Sequence, residues 1–391
     1  MAKSIVKQIK KLLVKNPDDF FTPAYLGTLT HKTPYFLFSK KKIIENYKLF
    51  KKHFPSSTIY YAMKANSEPE LLKTLLSVSC GFEVASSYEL DILKKINVPP
   101  QRIIYGSSIK PVNHIKKFFK YGVDKFACDT FSELEKIALA APGAKVYIRA
   151  IANDAGSVFK FSSKFGVETA TIIPLLQKAK ELGLQTYGIS FHVGSQASDQ
   201  NAWADTLVSL RSIIQELKTL GIKLDIINLG GGYPAKYASS ENAPGISDIS
   251  KPIFVQYKKL PYKPGLVLEP GRGIVADTGI AVASVIARVE RRGTTWLFLD
   301  LGCYNGLFET MAYQGSTRYS VTSMRSATNS GESLFALAGP TGDSPDVITR
   351  EALLPSDIGV GDRLIIHSVG AYSLTVTSEF NGFPKPDVYF V

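Results

Sequence analysis

Between residues 58 and 270 the sequence alternates short β-rich runs with longer amphipathic stretches, and this alternation constrains the fold more than any other feature. Repeated β-α units predict a parallel sheet with right-handed crossovers. Eight such runs over this length fit a closed (β/α)8 barrel better than an open doubly wound sheet. The predicted strands are Thr58–Ala62, Phe82–Ala85, Arg102–Tyr105, Lys125–Cys128, Lys145–Ala150, Tyr187–His192, Asp225–Leu229 and Gly265–Glu269.

After about residue 275 the pattern changes to strand-like runs without helices between them, which indicates an antiparallel β domain. The extended run Tyr35–Ser39 is expected to join this domain. We therefore predict a barrel over residues 40–275 and a discontinuous β domain over residues 1–39 and 276–391. The predicted strands of the second domain are Ile280–Arg288, Thr294–Asp300, Ser333–Ala338, Arg363–Ser368 and Ser373–Thr377.

Charge and composition narrow the class of protein. The net charge is +12, but residues 1–53 carry twelve lysines against three acidic residues, without interleaved arginines or a set of stacking aromatics. This predicts a solvated basic face rather than a nucleic-acid site. Lysines interrupt the apolar residues of Met1–Lys15, which predicts an amphipathic helix and not a secretory signal.

No apolar run is long enough for a membrane span. The three scattered cysteines suit neither a disulfide framework nor a zinc site. We expect a cytoplasmic enzyme that uses no metal and has neither a nucleic-acid nor a membrane partner.

Polar residues suited to chemistry follow the predicted strand ends. A barrel gathers the carboxyl ends of its strands at one rim, where barrel active sites are built, so residues distant in sequence are expected to meet there. These residues are Lys64, Glu83, Arg149, His192, Ser195, Gly230–Gly232, Glu269 and Arg272.

Lys64 directly follows the apolar run of residues 59–63 and is expected to be buried at the rim. Burial disfavours an ammonium group, and an unprotonated amine is what Schiff-base formation requires. Taken alone, the lysine could instead cap a strand. The other residues at the rim favour the chemical role.

The remaining rim residues fit a phosphorylated aromatic cofactor. Three glycines at 230–232 let backbone amides approach a phosphate, although a plain tight turn explains them equally well. A carboxylate such as Glu269 can keep a pyridine nitrogen protonated, and the alternative is an internal pair with Arg272. His192 could be a general base or could stack on a cofactor ring, and Ser195 suits a phosphate contact.

Nine short motifs occur in order along nearly the whole chain. Those of the barrel are YAMKAN at 61–66, KFG at 164–166, FHVGSQ at 191–196, GGGYP at 230–234 and EPGR at 269–272. Those downstream are GLFETM at 306–311, GPT at 339–341, GAY at 370–372 and FNGF at 380–383. The chain resembles the fold-III pyridoxal-phosphate decarboxylases, and the downstream motifs resemble their ornithine/lysine decarboxylase branch.

The resemblance implies a barrel, a C-terminal β domain and a head-to-tail homodimer with two active sites at the interface. It implies that pyridoxal phosphate forms a Schiff base with Lys64, that Glu269 faces the pyridinium nitrogen and that His192 stacks on the ring. Glu83 and Arg149 would surround Lys64 and the ring. The residues implied for the phosphate side of the cofactor are Ser195, Gly231, Gly232, Gly271, Arg272 and Tyr372.

The implied reaction removes the α-carboxylate of an amino acid as CO2 and returns a proton to Cα to give an amine. In the family a cysteine follows the GPT motif and supplies that proton, but this chain has Gly342 there. General acid catalysis is worth ~10²–10⁴-fold, so the change is expected to matter.

Asp343, from the partner subunit, would face the distal end of the substrate. The family usually carries an acidic residue shortly after the GLFETM motif, where this chain has Tyr313 and Gln314. We expect Tyr313, Gln314 and Asp343 to contact the substrate. A glutamine suits a neutral or differently shaped distal group.

Three interpretations follow from these departures. The first is a decarboxylase that acts on a substrate other than ornithine. The second is an enzyme with an altered outcome at Cα, either a changed face of protonation or oxidation after CO2 loss. The third is a non-catalytic regulatory homologue, against which the complete set of cofactor residues argues. An alanine-racemase-like enzyme shares the barrel, but the downstream motifs do not favour it.

Overall fold

The computed structural model describes residues 21–161, 163–312, 317–325 and 331–391, and the chain divides into two compact units. One unit comprises Ile44–Pro234 and Pro244–Gly273, and the other comprises Met1–Ile43, Ala235–Ala243 and Ile274–Val391. The helix predicted over Met1–Lys15 lies outside the described residues.

The first unit contains a closed barrel of eight parallel strands, which confirms the predicted fold class. Ile59 of the first strand pairs with Leu268 of the last and so closes the barrel. Each strand begins and ends within two residues of its predicted bounds. The barrel strands are Thr58–Ala62, Gly81–Val84, Ile103–Tyr105, Lys125–Cys128, Lys145–Arg149, Gln185–Ser190, Ile226–Asn228 and Gly265–Leu268.

Side chains form a packed core with contributions from most of the barrel strands, so a ligand must bind at an end of the barrel rather than inside it. The members of this core are Tyr60, Ile104, Ala127, Tyr147, Ile226 and Val267, with Tyr187 packed against them.

Amphipathic helices connect the strands, and two of them begin at ordinary capping residues. Ser86 and Thr130 accept hydrogen bonds from the amides of Glu89 and Glu133, which satisfies free donors of the first turn. Of the helices in the described residues, none combines the length and apolar composition that crossing a bilayer requires. The helices are Lys40–His53, Pro69–Ser77, Ser87–Lys95, Val112–Tyr121, Phe131–Ala140, Thr169–Glu181, Ala202–Thr219 and Ile246–Tyr257.

The second unit is a mostly antiparallel β sheet, as predicted. Its main path runs in the order Val321–Ser323, Arg363–Ile366, Gly279–Arg291, Thr294–Leu299, Glu332–Ala338 and Val347–Pro355. Tyr35–Phe38 pairs antiparallel with the start of the long Gly279–Arg291 strand and parallel with Asp387–Phe390.

One predicted strand of this unit was wrong. Residues 373–377 form a turn around the 3₁₀ helix Leu374–Val376. The Ser373 hydroxyl donates to the Val369 carbonyl and the Thr377 hydroxyl donates to the Ser373 carbonyl. Such local side-chain bonds to the backbone compete with pairing in a sheet.

Candidate active site

Lys64 and Glu83 meet at the carboxyl end of the first two barrel strands. Lys64 lies in the 3₁₀ turn Met63–Ala65, and Ala62 at the end of the first strand is in register with Glu83 on the second. Lys64 Nζ lies 2.6 Å from Glu83 Oε2. The Glu83 side chain is 4% exposed and the Lys64 side chain 42% exposed, so the expected burial of Lys64 was wrong. The amine is open to a reactant while a buried carboxylate holds it.

Glu269 follows the last barrel strand and is a second carboxyl group at this rim. Its Oε1 accepts a hydrogen bond of 2.6 Å from the side-chain amide of Asn228. Desolvation, followed by the negative charge of Glu83, raises the pKa of Glu269 to about 7, against the opposing positive charges of Lys64 and Arg149. A partly buried carboxyl with a raised pKa is a favourable place for an added cation, such as the protonated nitrogen of a pyridine ring.

Arg149 ends one further strand of the barrel, and His192 follows another. The Arg149 guanidinium lies 5.2 Å from the centroid of the Phe165 ring. His192 Nδ1 accepts a hydrogen bond of 3.0 Å from the Gly194 amide. Burial, followed by the positive charges of Arg149 and Lys64, holds the pKa of His192 well below its usual range. The imidazole is therefore neutral, and its proton is assigned to Nε2 because Nδ1 is an acceptor.

Ser195 and Arg272 form the third part of the rim. Ser195 begins the strand Ser195–Ala197, which pairs antiparallel with Ser157–Phe159. The Arg272 side chain is buried, donates to Ser195 Oγ over 3.4 Å from both Nε and Nη2, and lies 5.3 Å from the Phe159 ring centroid. A fixed guanidinium beside a hydroxyl suits a phosphate group.

The glycine turn after Asn228 packs closely against these residues. A Cβ on Gly231 would lie 2.8 Å from the Glu269 carbonyl oxygen and 2.9 Å from His192 Nε2, so a side chain cannot be accommodated there. Gly232 has a positive φ of 98°. At the neighbouring EPGR motif, Gly271 packs against Ala65, the residue after Lys64.

Asn228 is a site residue that the sequence analysis missed. It is fully buried, and besides donating to Glu269 it accepts a 2.9 Å hydrogen bond from the Gly230 amide at Oδ1. A signal existed, because asparagine is depleted in strands and here it interrupts an apolar β-run two residues before the first of three glycines.

The remaining predicted residues belong to the β domain. The Tyr304 hydroxyl donates to Asp343 Oδ2, and neither residue is fully exposed. A Cβ built on Gly342 would meet no heavy atom of the described residues within 4 Å. Tyr372 is partly buried, with a positive φ of 53°. Tyr313 and Gln314 lie outside the described residues.

Comparison with known proteins identifies the family. The model of the pyridoxal-binding domain of pyridoxal-dependent decarboxylases matches residues 40–276. The chain is 32% identical to a lysine/ornithine decarboxylase of Selenomonas ruminantium over 351 residues, which is 90% of this chain and 88% of the relative.

Further similarities extend over most of the chain. The crystal structure of the arginine decarboxylase of Paramecium bursaria Chlorella virus, bound to agmatine, superposes with a TM-score of 0.87 at 28% identity and covers 94% of this chain and all of the other. Antizyme inhibitor 2 of Xenopus laevis is 28% identical over 360 residues, 89% of this chain and 78% of the relative.

The chain belongs to the pyridoxal-dependent decarboxylases of fold type III. Within them it lies near the ornithine/lysine branch, as its sequence motifs predict. It is a carboxy-lyase whose cofactor is pyridoxal phosphate.

Proposed function

We propose that this enzyme decarboxylates an amino acid related to ornithine or lysine, or a modified or neutral analogue, and releases an amine and CO2. The observation that carries the proposal is the 2.6 Å contact between Lys64 Nζ and Glu83 Oε2 at the barrel rim. The names of its relatives, a lysine/ornithine decarboxylase and an arginine decarboxylase, support a basic amino acid or an analogue of one.

The residues at the rim fit the cofactor by their chemistry. Pyridoxal phosphate, when bound, withdraws the electron pair that the departing carboxylate leaves at Cα. Lys64 would hold the cofactor covalently, and the raised pKa of Glu269 marks where its ring nitrogen would be stabilised. The residues proposed to hold the phosphate of the cofactor are Ser195, Gly231, Gly232, Gly271, Arg272 and Tyr372.

The protein groups around Lys64 have separate tasks. Glu83 holds the Lys64 amine in one position and can retain its proton when the amine is displaced by the substrate. His192 stays neutral because its pKa is lowered, so it would cover the cofactor ring without competing with Lys64 and Arg149 for negative charge. Arg149, whose positive charge acts on Glu269, would supply a positive charge beside the ring.

The substrate side of the site is proposed to come from the β domain of a second copy. Asp343 would face the distal end of the substrate, together with Tyr313 and Gln314. The proposal includes the division of the chain into a barrel domain, residues 40–275, and a discontinuous β domain, residues 1–39 and 276–391. It also includes the homodimer. Because Gly342 carries no acidic side chain, another group must return the proton to Cα.

The relative antizyme inhibitor 2 favours a second candidate, a regulatory protein without activity. The third candidate is an enzyme with an altered outcome at Cα after CO2 loss. The Lys64–Glu83 contact argues against the regulatory candidate, since a binding protein has no need of an amine held on a buried carboxylate.

Incubation with ornithine, lysine, arginine and their neutral analogues distinguishes these three. CO2 and product are followed by mass spectrometry. CO2 with an amine is the expected result, whereas CO2 with an aldehyde or ketone indicates the altered outcome. Absence of turnover with the whole panel contradicts the proposal and favours the regulatory candidate.

Mixing two inactive variants tests the shared site. If Asp343 enters the partner's site, equal amounts of Lys64→Ala and Asp343→Ala form mixed dimers in which one of the two sites is intact. Random exchange then restores about a quarter of wild-type activity, because a closed dimer repeats each contact twice. If each site lies within one subunit, mixing restores nothing.

A further inference from the structure

A buried carboxylate, Asp346, connects two turns of the β domain. Its Oδ1 accepts from the Cys303 amide over 2.7 Å, and its Oδ2 accepts from the amide and hydroxyl of Thr341 over 3.1 and 2.7 Å. A Cβ on Gly302 or Gly339 would lie 2.4 or 2.3 Å from the Asp346 carboxylate, so both turns approach it more closely than a side chain permits. Asp346 therefore fixes these turns against each other.

This connection places Tyr304 against the loop that carries Gly342 and Asp343. The Tyr304 hydroxyl donates to Asp343 Oδ2. Its ring packs on the Phe380 ring with centroids 4.5 Å apart, and its carbonyl accepts from the Ser378 amide over 2.8 Å. Backbone and ring contacts thus hold the phenol at the residue next to Gly342.

We propose that Tyr304 delivers to Cα the proton that completes the decarboxylation. The inference rests on the proposed function, in which Asp343 faces the substrate. Any conversion of an amino acid to an amine needs one proton at Cα after CO2 has left. Gly342 has no proton to give, and the phenol of Tyr304 is held one residue away, on Asp343.

The nearby thiol of Cys303 is poorly suited to this task. Cys303 is fully buried and its Sγ lies 3.0 Å from Thr310 Oγ1. Burial also raises the pKa of the Cys303 thiol to about 12. A donor must reach the substrate, and Cys303 is enclosed by its own turn whereas Tyr304 is only partly buried.

The charge around Tyr304 keeps its proton in place until it is needed. The hydrogen bond to Asp343, followed by desolvation and the negative charges of Asp343 and Asp346, raises the pKa of Tyr304 to about 12. In the transfer the O–H bond breaks, and the electron pair left by CO2 forms the new Cα–H bond. The phenolate then takes a proton from solvent, and nothing is oxidised or reduced.

The first experiment compares Tyr304→Phe with Tyr389→Phe in the holoenzyme. Tyr389 is the matched control, since its hydroxyl also donates to a carboxylate of the β domain, Asp387, over 3.5 Å. We expect Tyr304→Phe to form amine about 100-fold more slowly, because general acid catalysis is worth ~10²–10⁴-fold. We expect Tyr389→Phe to match the wild type.

The product ratio provides a more specific measurement. Where Cα is not protonated, the bound cofactor would take up the proton and retain the substrate nitrogen. One water molecule would then supply the oxygen with which the carbon skeleton leaves as an aldehyde. The amount of aldehyde formed per CO2 released is therefore expected to rise in Tyr304→Phe. In Tyr389→Phe this ratio is expected to stay at the wild-type level.

The second experiment does not depend on turnover. In protein labelled with ¹³Cζ-tyrosine, the resonance that is missing from Tyr304→Phe belongs to Tyr304, and its shift with pH reports the phenol. We expect it to titrate at a lower pH in Asp343→Asn than in the wild type. Equal titration in both proteins overturns the inference, because the phenol then does not lie on Asp343.

The outcomes separate the inference from the function on which it rests. If the wild type releases amine and Tyr304→Phe does so at the same rate and product ratio, the proposed function stands and the inference about Tyr304 is wrong. If the wild type releases no CO2 from any amino acid, the proposed function fails and the inference falls with it.

Discussion

The side-chain amide of Asn228 donates to Glu269 Oε1 over 2.6 Å, and its oxygen accepts from the Gly230 amide over 2.9 Å. One fully buried residue thereby holds both the carboxyl proposed to face the cofactor ring and the turn proposed to approach its phosphate.

Asn228→Ala should lower both stability and cofactor affinity. The substitution leaves a buried amide and a carboxyl oxygen without this partner, and an unsatisfied buried group costs about 1–3 kcal/mol. Urea unfolding measures the stability loss, and titration with pyridoxal phosphate measures the affinity. Exposed Asn153, whose side-chain oxygen accepts from the nearby Ala155 amide, is the control, and Asn153→Ala should change neither quantity. Equal behaviour of the two variants contradicts the role of Asn228.

Glu269→Gln should stabilise the cofactor-free protein at pH 8 but not at pH 4.5. The pKa of Glu269 is raised from 4.5 to about 7 in the folded protein, so the folded state holds a proton that the unfolded state has released. Stability is therefore lost as pH rises through this window, up to about 3 kcal/mol, and glutamine removes that loss.

Unfolding free energies at pH 4.5, 6 and 8 measure this effect. The difference between Glu269→Gln and the wild type should grow with pH. A difference that is constant over this range would falsify the assigned direction of the pKa shift. Glu70→Gln is a suitable control for loss of a carboxylate, because the Glu70 side chain is partly exposed and pairs with Lys73 over 2.7 Å.

Lys64→Ala should abolish the visible absorption band of lysine-bound pyridoxal phosphate. The wild type is expected to be coloured after purification with the cofactor. Absorption spectra before and after borohydride reduction check the result, with Lys73→Ala as the control for loss of a lysine on the same stretch of chain. A colourless wild type, or a band that survives in Lys64→Ala, would contradict the role of Lys64.

Gly342→Cys should gain a reactive thiol and fold with its stability raised by about 0.4–1 kcal/mol, because replacing glycine removes freedom from the unfolded chain. A Cβ at this position meets no heavy atom of the described residues within 4 Å. The three native cysteines are buried, so a thiol reagent should label one cysteine in the folded variant.

The same variant tests how much the missing acid matters. We expect Gly342→Cys to form amine faster or with less aldehyde than the wild type. If neither the rate nor the product changes, the loss of a side chain at 342 has no bearing on the proton step.

The barrel and its rim could be predicted because each strand end is marked locally. Lys64, Glu83 and Glu269 each follow an apolar run, and the closed sheet alone brings them together. Asp346 could not be predicted in this way, since it bonds to Cys303, forty-three residues earlier, through contacts between two turns.

Other features depended on contacts that the sequence pattern conceals. The strand Val347–Pro355 was not predicted, because its charged residues Arg350 and Glu351 and its terminal proline weaken the strand pattern. The exposure of the Lys64 side chain was also not predicted, since an apolar run suggests burial for the residue that follows it.

Because the space around Gly342 is open, a side chain can be added there without disturbing the contacts that stabilise the loop. Asp346 and the two glycines against it hold the loop, and residue 342 takes no part in this arrangement. Evolution could therefore exchange the residue at this position without compensating changes elsewhere. Under the proposed part of residue 342 in the proton step, a single substitution would suffice to change the outcome at Cα.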